Sequence, residues 1–159
     1  VSLNMYNELI NILCDAGYEH YEISNFAKKG YRAQHNSSYW HDIPYLGIGV
    51  AAHSYNIKSR QWNVSDINKY IESISHDTVP FTFESIDADT HYNDIVTTEL
   101  RTSEGIDLSR LDDKYVQYIV KQAARHVADK TVDINDGHLK LTREGLYISD
   151  MIMSDLMKV

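Results

Sequence analysis

The sequence predicts a mixed fold, α/β in its first part and α+β in its second. An amphipathic helix over residues 2–16 is followed by Gly17 and by the alternating segment YEHYEISNF, which is typical of one unit of an α/β sheet or barrel. Towards the end, TVDINDGHLKL alternates into and out of an Asn-Asp-Gly turn, as a β-hairpin does. With helices before and after it, this hairpin gives the pattern of a winged-helix domain.

In the first part, residues 18–26 are expected to form one strand, followed by a polar loop. From Leu46 to Tyr55 the chain is apolar and rich in small residues, so we expect a buried strand containing two glycines. Glycine inside a strand often marks the close approach of a ligand or of another backbone.

A short strand over 61–64 and a helix over 66–75, capped by Ser65, complete the first part. The segment 79–84 has no strong periodicity and is interpreted as a linker. We therefore expect a domain boundary near Pro80, with one domain over residues 1–80 and a second over residues 81–159.

The second domain is expected to be mostly helical around the hairpin. The pattern indicates a helix from Ser85 to about Arg101, a short helical piece near Leu108, and a longer helix over 113–129. A single last helix, capped by Thr142, follows the hairpin.

Composition narrows the classes of function. With 15 basic and 23 acidic residues, the net charge of −8 disfavours nonspecific binding to nucleic acid or to anionic lipid. No apolar run approaches the roughly 20 residues that span a bilayer. Cys14 is the only cysteine, which predicts a reducing, cytoplasmic location without disulfides. The chain starts with Val1 and not with Met, so we expect it to be a piece of a longer protein.

Residues 35–55, HNSSYWHDIPYLGIGVAAHSY, place histidine and aromatic side chains next to a run of small residues. This segment overlaps the first two of four segments that occur in this order: YEISNFAKKGYRAQHNSSYW, PYLGIGVAAHSY, ELRTSEGID and LKLTREGLYISD. Together they resemble the oxygen-independent coproporphyrinogen III oxidase family, the HemN/HemW branch of radical-SAM proteins. The spelling HNxxYW, met by His35, Asn36, Tyr39 and Trp40, is more similar to the haem-chaperone side of that family.

The resemblance implies a partial β/α radical-SAM barrel whose C-terminal elements are residues 1–80, followed by a winged-helix domain over residues 81–159. A missing N-terminal barrel domain would carry a CxxxCxxC loop, where three thiolates hold a [4Fe–4S] cluster and leave one iron for S-adenosylmethionine. This chain departs from that pattern because Cys14 stands alone. We therefore expect a C-terminal fragment in which cluster and S-adenosylmethionine belong to the full-length parent only, and which performs no radical chemistry by itself.

The resemblance also implies that His35 binds haem, as an axial ligand of the iron, with Tyr39 and Trp40 covering the macrocycle. In the alternative, His35 and Asn36 hydrogen-bond a loop to the barrel rim and the two aromatics belong to the core. Arg32 is the best of several cations for pairing with porphyrin propionates, but the sequence favours the alternative of a solvated loop with ordinary surface charge.

Three further residues are candidates for a cofactor site in the intact parent. The resemblance places Gly49 and Ala52 beside S-adenosylmethionine, whereas tight packing of a strand would need the same small residues. His53 follows them and is a candidate ligand or proton donor facing a pocket, or else a half-buried histidine bonded to backbone.

Two activities of the parent stay open: oxidative decarboxylation of coproporphyrinogen III, or the binding and delivery of haem, which HNxxYW favours. Whether the parent is an enzyme is therefore undecided by the sequence. A rival hypothesis is a winged-helix module that binds nucleic acid or a protein partner. Its presumed recognition helix mixes Lys114 and Lys121 with Asp112 and Asp113, which makes nucleic acid an improbable partner.

Overall fold

The computed structural model describes residues 2–159, and side chains from residue 3 onward. The chain divides into two compact units: the first joins the residues up to His41 with Tyr92–Val159, and the second is Asp42–His91. The predicted division near residue 80 stays a prediction about the domains of a longer protein. Within this chain, residues 81–91 group with the segment before them, and the residues up to 41 group with the C-terminal half.

The helices and strands alternate along most of the chain. Up to residue 85 they are α1 (Ser2–Asp15), β1 (Tyr18–Glu22), β2 (Asn25–Lys28), α2 (Gln34–Trp40), β3 (His53–Tyr55), β4 (Ser59–Asn63), α3 (Ile67–Ser75) and β5 (Phe81–Ser85). After it they are α4 (Ala88–Glu99), β6 (Ile106–Asp107), a 3₁₀ turn (Leu108–Arg110), α5 (Asp113–Ala128), β7 (Val132–Asn135), β8 (His138–Leu141), α6 (Arg143–Leu146) and α7 (Ser149–Leu156).

The predicted helix α1 is confirmed, and Gly17 follows it with φ +81°, as a glycine after a helix end does. The single strand predicted over residues 18–26 is wrong, because the chain reverses after Glu22 and β2 pairs antiparallel with β1. The carboxylate of Glu22 accepts hydrogen bonds from the Ser24 amide (3.0 Å) and the Asn25 side chain (2.5 Å), which closes the reversal. Alternation of apolar residues carries no sign of such a turn.

The buried strand predicted over 46–55 is also wrong. Only His53–Tyr55 is strand, and Leu46 and Ile48 are 76% and 86% exposed. Two residues in left-handed conformation, Gly49 (φ +111°) and Ala51 (φ +56°), prevent an extended chain. This segment is a loop that leads into the sheet.

The second unit contains a three-stranded antiparallel sheet in the order β3-β4-β5. The linker predicted over 79–84 is wrong here, since β5 pairs with β4 along its whole length, from Ser59 with Ser85 to Asn63 with Phe81. Helix α3 matches the prediction, but its cap is Asp66 and not Ser65: the Asp66 carboxylate accepts from the amides of residues 68 and 69.

In the C-terminal half, the predicted hairpin is confirmed as β7 and β8. Strand β6 pairs antiparallel with β8, which gives the sheet order β6-β8-β7. Asp136 (φ +50°) and Gly137 (φ +76°) are the two central turn residues, both left-handed as a type I′ turn requires. The single last helix is wrong, since α6 ends at Leu146 and α7 begins at Ser149, although Thr142 does cap α6.

The hydrophobic core lies in the first unit, between the β6-β8-β7 sheet and helices α4, α5 and α7. Each large side chain buried there stabilises the fold by roughly 1.5–3 kcal/mol. Its buried members are Tyr92, Ile95, Val96, Leu100, Ile106, Tyr115, Ile119, Ala123, Val132, Leu139, Ile152, Met153 and Leu156. Over residues 2–159, no helix is both long and apolar enough to cross a membrane.

Candidate functional site

Helix α2 carries the predicted iron ligand on its exposed face. His35 and Tyr39 are four residues apart and therefore neighbours on the helix surface. The Tyr39 hydroxyl lies 3.1 Å from His35 Nε2, and the two rings meet edge to face with centroids 5.0 Å apart. Both side chains are exposed, so an incoming planar ligand can reach them from solvent.

Trp40 takes a different role on the same helix. It is half-buried, and its ring lies 6.0 Å from that of Tyr21, which is 4% exposed. The Tyr21 hydroxyl also accepts a hydrogen bond from the Ala33 amide at the start of the helix (3.3 Å). The aromatic part of HNxxYW is thus divided: Tyr39 contacts His35, while Trp40 packs α2 against the β1–β2 hairpin.

The loop before α2 is fixed by an ion-pair cluster. Arg32 donates to Glu104 (2.6 Å) and to Glu19 (3.2 Å), and its guanidinium lies 5.2 Å from the centre of the Tyr21 ring. The hydrogen bond with Glu104 raises the pKa of Arg32. Burial raises the pKa of Glu104, but the hydrogen bonds that its carboxylate accepts, first among them the one from Arg32, and the charge of Arg32 together lower that pKa below its ordinary value. The guanidinium predicted to meet propionates is therefore engaged with carboxylates of its own chain.

A second cluster is built around Glu22, whose side chain is 1% exposed. Besides Ser24 and Asn25, it binds Arg101 through Nε (2.9 Å) and Nη2 (2.8 Å). Burial raises the pKa of Glu22, but the hydrogen bonds from Asn25, Ser24 and Arg101 together lower it below its ordinary value. Glu22 is therefore ionised at neutral pH in the folded chain.

These contacts join two of the segments that carry the family resemblance. The backbone of the first, at Tyr21 and Ile23, exchanges hydrogen bonds with that of the second: Ile23 N donates to Arg101 O (3.0 Å) and Ser103 N to Tyr21 O (3.1 Å). A cavity of about 240 Å³ opens beside the junction, lined among others by Glu22 and Arg101. Both segments are recognisable as motifs in the sequence, but the sequence did not lead us to predict that they contact each other.

In the second unit, Gly49 and Ala52 lie in a loop clasped by Asn63. The side-chain amide of Asn63 donates to Gly49 O (2.8 Å), and its backbone N–H donates to Ala52 O (2.9 Å). Ala51 N donates to Val64 O (3.0 Å), which ties the loop to the end of β4. Asn63 is 4% exposed, and nothing in the surrounding sequence indicated that it holds this loop.

Gly47 shows why this segment needs a small residue. A Cβ atom at position 47 would lie 2.1 Å from the carbonyl oxygen of His53. The close approach inferred from the glycines is therefore, at this position, an approach of backbone to backbone.

His53 is exposed at the start of β3 and stacks on Trp62 across the sheet, with ring centroids 6.2 Å apart and planes 27° apart. Both rings line a cavity of about 540 Å³ within the second unit. Ala51, Asn63 and Phe81 also line it. The cavity thus has an aromatic wall, a histidine and a face of small residues.

The donors of this chain do not fit an iron–sulfur cluster. Cys14 lies exposed on α1, and in the part of the chain that the structure describes no group of three or more His, Cys, Asp or Glu side chains could hold a metal ion. A single axial bond from an exposed imidazole, which haem iron accepts, is compatible with His35.

Known proteins are similar to this chain in sequence and in fold. The chain is 32% identical over 146 residues to a protein of Mycobacterium tuberculosis named heme chaperone HemW, and 35% identical over 162 residues to the Bacillus subtilis protein of the same name. These alignments cover 91% and 93% of this chain.

The chain is thus similar in sequence to proteins named HemW over about nine-tenths of its own length. Among solved structures, coproporphyrinogen III oxidase HemN of Escherichia coli, titled a radical SAM enzyme, superposes on 97% of the chain with a TM-score of 0.71 at 18% identity, which shows a shared mixed α/β fold. The HemN/HemW relatives are longer, since the chain spans 36% and 40% of the two HemW proteins and 40% of HemN. No family model matches the chain.

Proposed function

We propose that this chain is the C-terminal portion of a HemW-like protein that binds and delivers haem, and that α2 is its haem-binding element. The observation that carries the proposal is the exposed His35–Tyr39 pair on a helix that Trp40 packs against the β1–β2 hairpin and that follows a loop fixed by Arg32. In this proposal haem is cargo, and the chain supplies its axial ligand and part of its cover.

The location of His35 suits an iron ligand. Its imidazole is exposed on a short helix that is anchored at both ends, at Ala33 through Tyr21 and at Trp40 through ring packing. An anchored helix restricts the positions that the imidazole can take, so less entropy is lost when iron binds. The exposed Tyr39 ring offers an apolar face beside the ligand.

Haem delivery is preferred to coproporphyrinogen decarboxylation for two reasons. The relatives that align over nine-tenths of the chain carry the name heme chaperone, whereas HemN is similar at the level of fold. The decarboxylation also requires the cluster and S-adenosylmethionine, and the thiolates for the cluster would have to come from outside this chain.

The second unit is proposed to form one wall of a cofactor site in the longer protein. Gly49, Ala52 and His53 lie in or beside the loop that Asn63 clasps, and His53 lines the aromatic-walled cavity. We propose that S-adenosylmethionine contacts this wall when the N-terminal barrel domain completes the site.

The C-terminal half is proposed to be a winged helix that acts as a lid. Four helices, α4 to α7, and a three-stranded sheet with a tight hairpin as its wing support this assignment. A cytoplasmic location is also proposed, on the basis of the single cysteine.

A hemin titration tests the haem proposal. The Soret absorption of hemin should shift and sharpen as the chain is added, and His35→Ala should weaken binding at least tenfold because the axial bond is lost. His41→Ala is the matched control, since His41 is exposed and follows directly after α2. Equal binding by the His35 variant and the unchanged chain would refute the proposed ligand.

A further inference from the structure

We infer that the Tyr39 hydroxyl is a placeholder for iron on His35: it occupies Nε2 in the haem-free chain and is displaced when haem binds. This inference rests on the proposed function and adds a positioning residue to it. Its basis is the 3.1 Å contact between the hydroxyl and Nε2, the ring nitrogen farther from the backbone.

The direction of the hydrogen bond follows from the chemistry of the two groups. A neutral imidazole has one N–H and one acceptor nitrogen, and a phenol is a good O–H donor. We assign the hydroxyl of Tyr39 as donor and Nε2 of His35 as acceptor, which places the ring proton on Nδ1. An iron-bound histidine has the same tautomer, with a lone pair on the metal and the other nitrogen protonated.

The placeholder therefore has two effects. It engages the lone pair of Nε2 and so keeps the ring in the tautomer that iron needs. It also competes with iron, since the same lone pair cannot serve both partners. When Nε2 binds iron, the Tyr39 hydroxyl keeps its proton and turns to water, so no proton leaves the pair.

The geometry of α2 makes this exchange local. His35 and Tyr39 lie four residues apart on the exposed face of α2, and contacts of Trp40 and of the residues before the helix anchor it. These anchoring contacts do not involve the hydrogen bond between the two side chains, so they hold the helix in place when that bond breaks. A carrier benefits from such a competitor, because it lowers affinity and helps release.

The Tyr39→Phe variant distinguishes competition of the hydroxyl with iron for His35 Nε2 from covering of the haem by the Tyr39 ring. The phenyl ring keeps the apolar face and removes the hydroxyl, so the Kd for hemin should fall by about three- to tenfold, the value of one hydrogen bond lost from the haem-free state. Tyr31→Phe is the matched control, since Tyr31 is 81% exposed in the loop before α2. An unchanged or larger Kd in Tyr39→Phe would overturn the placeholder role.

A second measurement does not use haem. Long-range ¹H–¹⁵N correlation spectra of the histidine rings should show the His35 proton on Nδ1 in the unchanged chain and a shift towards Nε2 in Tyr39→Phe. Identical tautomers in the two proteins would also overturn the inference. Failure of the unchanged chain to bind hemin would instead refute the proposed function, and hemin binding that His35→Ala abolishes but Tyr39→Phe leaves unaltered would refute the placeholder alone.

Discussion

Glu22 is the residue whose removal should affect folding most clearly. Its buried carboxylate accepts bonds from Ser24, Asn25 and Arg101 and closes both the hairpin turn and the contact between two motifs. We expect Glu22→Gln to lower the free energy of unfolding by about 1–3 kcal/mol at pH 7, because charge-assisted hydrogen bonds become weaker neutral ones. Urea unfolding followed by circular dichroism measures this loss.

The same residue predicts a pH dependence. The pKa of Glu22 is lower in the folded chain than its ordinary value of 4.5, so its contribution is present above that value and is lost as the pH falls through the folded pKa. The difference in unfolding free energy between the unchanged chain and Glu22→Gln should shrink between pH 7 and pH 3. Glu8→Gln is the control, since Glu8 is exposed on α1 and should change stability by less than about 0.5 kcal/mol. A difference that is constant with pH would contradict this account.

At the residue scale, the sequence motifs identified candidate site residues better than they identified the residues that those candidates contact. The segment around His35 was recognised, yet its hydrogen bond to Tyr39 depends on helix geometry that the spelling does not state. Arg32 was interpreted as a solvated or propionate-binding cation, and it is instead held by two carboxylates far from it in sequence. Such long-range pairs leave no periodic signal in one sequence.

Among the elements, the Gly49–Ala52 loop depends on Asn63. Asn63→Ala removes the side-chain bond to Gly49 O while leaving the strand pairing of β4 intact. We expect the amides of Ala51 and Ala52 to exchange with solvent about tenfold faster, the equivalent of roughly 1.4 kcal/mol of local stability. Hydrogen exchange measured by NMR reports this directly.

Asn68→Ala is the matched control for that experiment, since Asn68 lies exposed on α3. Its backbone N–H donates to Asp66, and the substitution does not remove that bond. Exchange in residues 49–52 should be unaffected by this change. If Asn63→Ala leaves the loop as protected as before, the clasp is not what holds it.

Helices were predicted from the sequence more reliably than strands, for a physical reason. The helices α1, α3 and α5 follow from amphipathic spacing and from local end signals. The segments 18–26 and 46–55 have strand-like composition, but a carboxylate-closed turn in the first and left-handed residues in the second divide them. Side-chain bonds to backbone decide those cases, and hydrophobic patterns do not record them.

At the scale of the whole chain, the second unit has little apolar core of its own. Of the buried apolar residues, only Tyr55 falls within Asp42–His91. Large apolar side chains in that unit are instead exposed by more than a third: Ile43, Leu46, Ile48, Val50, Ile57, Ile67, Ile71, Ile74, Val79, Phe81 and Phe83. Such a surface favours association between copies of the chain or binding of apolar dyes.

We therefore expect the chain to self-associate as its concentration rises through the micromolar range, as measured by light scattering coupled to size exclusion. Phe83→Ser, which removes an apolar side chain that is 62% exposed, should weaken association. Thr82→Ser is a conservative control in the same strand. A strictly monomeric chain that binds no apolar dye would contradict the expectation.

The central claim is that His35 of α2 ligates haem iron, and hyperfine spectroscopy tests it most directly. With the chain labelled with ¹⁵N at histidine, the electron spin of ferric iron in the hemin complex should couple to a histidine nitrogen. That coupling should persist in His41→Ala and vanish in His35→Ala. A coupling that survives loss of His35, or a hemin complex without any histidine coupling, would contradict the account.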